Sequence, residues 1–241
     1  FPITTSNPLA QRYFDQGLIL SYGFNHAEAV RSFLEGAKLD SDCAMCWWGA
    51  SLALGPNINV TMFPENAGPA WEYLQKAQAA APKVSEKEQA FIQALSKRYA
   101  AKPPNDRKAL DAAYVDAMRE VAKRYPDDLE AQTLFAEAVM DTMPWHYWTK
   151  EGQPEPGTLE LMATLESVLA KKPDHVGATH FYVHATEASP DPRKGIPAAD
   201  KLRDLVPGAG HLVHMPGHTY LRVGRYADAS EGNEKAILAD K

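Results

Sequence analysis

The sequence has almost no alternating polar and apolar stretch that would read as a β-strand, which argues against sheet-based folds. It lacks any run of about 18 apolar residues, so a membrane-spanning helix is not expected. A basic flank followed by an apolar run is missing as well, so no secretory leader is legible. The zinc-protease HExxH, the GxSxG nucleophile elbow and the phosphate-binding P-loop are all absent. Basic residues are outnumbered, with 25 Lys and Arg against 31 Asp and Glu and a net charge of −6, which makes a nucleic-acid surface an unlikely expectation. The charges are interspersed and read as solvated helix faces. Only two cysteines occur, Cys43 and Cys46 in CAMC. Trp47 stands where a haem attachment motif needs histidine. A redox or metal role and simple packing of small side chains both remain open for this pair, as does a disulfide between them. The chain starts at Phe1-Pro2 without an initiator Met and ends in EKAILADK without a capping element. These ends suggest a fragment or a processed, exported or periplasmic form, with a cytoplasmic location as the alternative.

What is present is helix after helix. Pro82, Pro126, Pro173 and Pro207 each follow a helical stretch, and proline stops a helix by removing a donor and clashing with the preceding turn. Asn7-Pro8 reads as a cap followed by proline at the first helical position. Ser85 with Glu88 reads as a capping box. Two insertions, 55–69 and 144–157, follow the first helix of their units. The second carries Trp145, His146, Tyr147 and Trp148, either a lid over a ligand or a plug between units.

The histidines carry the strongest signal. His180 and His184 recur as His214 and His218 at an offset of 34 residues, the period of a two-helix solenoid repeat. Counting seven and eleven residues from each unit-ending proline defines two rows. One is Gln89, Thr133, His180 and His214; the other is Gln93, Glu137, His184 and His218. Every member is polar, unlike a core-facing row.

Gly17, Ala29 and Phe33, then Trp48, Gly49, Ala70, Leu74, Ala77 and Pro82, then Gly224, Tyr226, Ala229 and Ala236 recur at repeat spacing. On these residues the chain resembles the tetratricopeptide repeat (TPR) proteins. CAMCWWGASLALGPNIN and GHLVHMPGHTYLRVGRY look like a bacterial subgroup of them. The resemblance implies an all-α, right-handed superhelical solenoid of about six degenerate helix pairs, a single domain over residues 1–241. It also implies that the two polar rows line a concave groove that contacts a peptide or small-molecule ligand.

Residues four apart share a helix face, and packed helices lie roughly 8–10 Å apart. His180, His184, His214 and His218 can then reach one transition metal or a close pair, with His211 as a fifth ligand. Imidazole suits copper, iron or zinc without distinguishing them. Glu137 and Glu187 are candidate ligands, orienting groups or general bases, and the aromatic run 145–148 would cover a substrate. The leading expectation is a metalloprotein with oxidoreductase chemistry on a small organic substrate; metal-assisted hydrolysis stands behind it. The rivals are a metal-free peptide-binding scaffold and a metal carrier without turnover. Pro216-Gly217 between His214 and His218 threatens a kink that either separates the second pair or re-aims it.

Overall fold

The computed structural model describes residues 1–240, and every regular element among them is helical. In chain order these are α1 (Pro8–Tyr22), α2 (His26–Leu39), α3 (Ala44–Ala53), α4 (Ala67–Ala80), α5 (Glu86–Leu95), α6 (Lys108–Arg124) and α7 (Leu129–Asp141). They continue with α8 (Thr158–Lys171), α9 (Val176–Thr186), α10 (Ile196–Leu202), α11 (Gly210–His214), α12 (Pro216–Arg222) and α13 (Tyr226–Ala239). None of them is long and apolar enough to cross a membrane. The contacts divide the chain into two compact units, residues 1–21 with 26–142, and residues 22–25 with the chain from Met143 onward.

The first unit is built on small residues that admit large rings. α3 packs against α2 and α4. Phe33 on α2 is fully buried, and its ring takes the space that side chains at Gly17 and Gly49 would need. Ala29, Ala37, Ala70 and Ala77 are buried, as close helix packing requires. Trp48 sits in the core and donates Nε1–H to the Phe91 carbonyl at 3.2 Å. Cys43 and Cys46 form a disulfide at the start of α3, with Cys43 as its N-cap. Ser85 and Glu88 form the full capping box of α5, and Glu88 also accepts from the Thr4 hydroxyl at 2.5 Å.

In the second unit α9 packs against α8, α10 and α12, and α13 against α11 and α12. Every residue of α9 from Gly177 to Thr186 is buried. A helix covered all round sits at the centre of its unit. Its start is set by His175, whose Nδ1 accepts the Ala178 N–H at 3.2 Å. α11 and α12 are two parts of one helical path. Met215 between them keeps right-handed dihedrals, φ −54° and ψ −37°. Pro216 opens α12, a position where its missing N–H costs little.

Candidate metal centre

Five histidines form one continuous array in the second unit. α9 supplies His180 and His184, 0 and 1% exposed, one turn apart. α11 supplies His211 and His214, and α12 supplies His218. Ring centroids are 4.8 Å apart for His180 and His184, 4.9 Å for His180 and His211, and 4.9 Å for His214 and His218. His184 stands 6.1 Å from His218 and His211 6.5 Å from His214, which joins the two groups. The proline does not separate the second pair: His214 Nε2 and His218 Nε2 are 3.0 Å apart.

The nitrogens are sorted. His180 Nε2 lies 3.1 Å from both His184 Nε2 and His211 Nε2, and the three ligand atoms all fall within 4.8 Å of one another. His180 Nδ1 donates to the Tyr22 carbonyl at 2.6 Å. A carbonyl only accepts, so the ring proton sits on Nδ1 and Nε2 keeps its lone pair. His184 turns its Nδ1 to Glu187 Oε1 at 3.6 Å. Lone pairs 3.1 Å apart repel unless a cation or proton lies between them. Around an ion with bonds of about 2.0–2.1 Å, two imidazole nitrogens stand about 2.9 Å apart at right angles and about 3.3 Å apart at the tetrahedral angle. The observed separations fall between those chords. If the third edge reaches its 4.8 Å limit, a point equidistant from the three nitrogens lies about 2.4 Å from each, a few tenths of an ångström beyond a bond.

Burial favours the neutral form of His180 and His184. It pushes His180 well below the usual histidine range, and the neighbouring His184 and His211 push it further. Burial likewise lowers His184 against the opposing pull of Glu187. Burial would raise the Glu187 carboxyl, but the contacts from His184 and His218 outweigh it and hold the group at about 2. Glu187 is therefore an anion engaged by two rings, with His218 Nδ1 at 2.6 Å from Oε2. That is the arrangement of a carboxylate that orients metal-binding histidines.

Phe24 closes one side of the triad, its ring 4.6 Å from His180 and 5.1 Å from His211. Trp145 stands edge-on to His184 at 4.9 Å and 6.2 Å from His218. Both aromatic residues have positive φ, 55° and 64°, a region that bulky side chains rarely adopt. A cavity of about 930 Å³ reaches His211 and His214, lined also by Phe24, Asn233, Ala236 and Ile237.

No family model and no curated protein matches the chain. Among solved structures it is similar to "MamA RS-1 ArsTM double mutant" and to "MamA 41-end from Desulfovibrio magneticus RS-1". Each likeness has a TM-score of 0.41 and 16% identity over 98% of this chain and 97% of the other. That is too distant to carry an argument.

The remaining residues singled out in the sequence are placed differently from one another. Of the aromatic run, Trp145 has its ring against the imidazoles. His146 is exposed. Tyr147 is buried, its carbonyl accepting from the Thr158 hydroxyl at 2.7 Å, and Trp148 Nε1–H donates to the Ala185 carbonyl at 2.8 Å. These two rings hold the loop in place. Glu137 belongs to the first unit, in an ionic cluster with Arg98 and Asp141. Burial raises its carboxyl to about 7 against the lowering effect of Arg98. Tyr22, Phe24 and Asn233 were not visible as site residues. Tyr22 lies 158 residues from His180 in the chain, and no local pattern links the two.

Proposed function

We propose that the second unit holds a transition-metal ion on His180, His184 and His211, within a TPR-like scaffold of about six helix pairs. We infer a metal-dependent oxidoreductase acting on a small organic substrate. The observation that carries this reading is the convergence of three Nε2 atoms, those of His184 and His211 each 3.1 Å from that of His180, whose lone pair is free because its proton is held on Nδ1 by the Tyr22 carbonyl. Three neutral imidazoles suit copper, iron or zinc and leave coordination positions open. The cavity beside His211 and His214 offers a substrate an apolar wall of Phe24, Ala236 and Ile237. Redox chemistry is placed ahead of hydrolysis because Glu187, the carboxylate beside the imidazoles, gives Oε2 to His218 Nδ1 at 2.6 Å and turns Oε1 toward His184 Nδ1 at 3.6 Å, so both oxygens are directed at ring nitrogens.

Metal analysis of the untagged chain tests this reading. The expectation is at least one equivalent of copper, iron or zinc, with one ion fewer in His180→Ala and in His211→Ala. A chain that takes up no transition metal after reconstitution overturns it. Tight peptide binding that persists in chelator and survives His184→Ala would make the protein an adaptor instead. Rapidly exchanging metal with no oxidation of any substrate would make it a carrier.

A further inference from the structure

We propose that His214 and His218 bind a second metal ion of their own, so that the centre is dinuclear. This extends the triad reading and rests on it for the pairing of two ions, but the second site has separate ligands. The pair repeats the local design of His180 and His184. Both are i, i+4 pairs, offset by 34 residues, and both bring Nε2 atoms to nearly the same separation, 3.0 and 3.1 Å.

The tautomers of the second pair are fixed from outside. His218 Nδ1 donates to Glu187 Oε2 at 2.6 Å, and His214 Nδ1 donates to the Asn233 amide oxygen at 2.6 Å. With each Nδ1 proton committed outward, the two Nε2 atoms face each other at 3.0 Å, a contact that needs a cation, metal or proton, between them. Glu187 serves the two groups together, one carboxylate oxygen on His218 and the other 3.6 Å from His184 Nδ1. The cavity reaches His214, so water or an oxygen ligand has access to complete the two-imidazole set.

The test is a count on the full, untagged chain, stripped of metal, loaded with Co(II), freed of excess ion and measured by mass spectrometry. The expected result is two ions per wild-type chain and one in His214→Ala and in the His214→Ala/His218→Ala double variant. Circular dichroism checks that the variants fold, and the half-exposed His214 makes the single variant the milder change. The exposed His146→Ala should still bind two. A wild-type count of one overturns the second ion, as when a shared proton bridges the rings instead. If that single ion survives His214→Ala but not His180→Ala, the triad stands alone. If no ion binds, the triad reading falls as well.

Discussion

At the scale of single residues, Glu187 is the point on which the centre turns. It holds the ring of His218 at 2.6 Å and faces that of His184, so on the proposed reading it would orient both histidine groups. Glu187→Gln keeps the shape but removes the charge and one acceptor. Metal affinity, read by competition with a chromophoric chelator, should fall about 10–100-fold, the usual cost of losing such a carboxylate. An unchanged affinity would deny it that role. Glu137 allows a pH test within the first unit. Burial raises its carboxyl from the ordinary 4.5 to about 7 in the fold, because it opposes the charge. Between these values the folded chain keeps a proton that the unfolded chain has released. Glu137 therefore lowers stability as pH rises through that window. Glu137→Gln removes the dependence. Urea unfolding at pH 5 and pH 8 should show the variant gaining on the wild type by on the order of 2–3 kcal/mol at the higher pH. A constant difference would contradict the burial of its charge.

At the scale of elements, the close approach of helices in the first unit depends on glycine. A Cβ at Gly49 would lie 2.4 Å from the Phe33 ring, and one at Gly17 2.8 Å. Phe33 is itself fully buried and has no free side to move to. Gly49→Ala should lower stability by about 1–3 kcal/mol, shifting the urea midpoint with little change in slope. A neutral substitution would mean that the ring repacks freely. The elements were also the most legible part of the sequence. Caps, helix stops and the 34-residue register are legible in the chain itself, and Ser85, Glu88 and Asn7 hold their helix starts as those signals imply. Pro216 was ambiguous because proline's effect depends on whether the chain can stay helical around it, and Met215 settles that with its own dihedrals. The aromatic run was legible as a group but not residue by residue. Which ring faces the site depends on the positive φ of Trp145, a tertiary outcome.

At the scale of the whole molecule, the proposed metal would concern the two units differently, because all five clustered histidines belong to the second. The core of the first includes Phe33, Trp48 and Phe91, and its interior holds none of the five clustered histidines. The second centres on α9, whose two buried imidazoles must face those of α11 and α12. The reach of residues 22–25 into that unit could not be read locally, since the Tyr22 carbonyl and the Phe24 ring meet histidines far along the chain. An ion converts lone-pair repulsion among these rings into shared bonds. At free metal about 100 times its dissociation constant, binding adds about 2.7 kcal/mol to whatever unit it occupies. Amide hydrogen exchange with and without chelator should therefore respond unevenly. Removing the metal should deprotect α9, α11 and α12 together with residues 22–25. Protection across α3 and α5 should stay the same. Loss of protection spread evenly over both units, or none in α9, would show that the histidine array does not hold the second unit together through a bound ion.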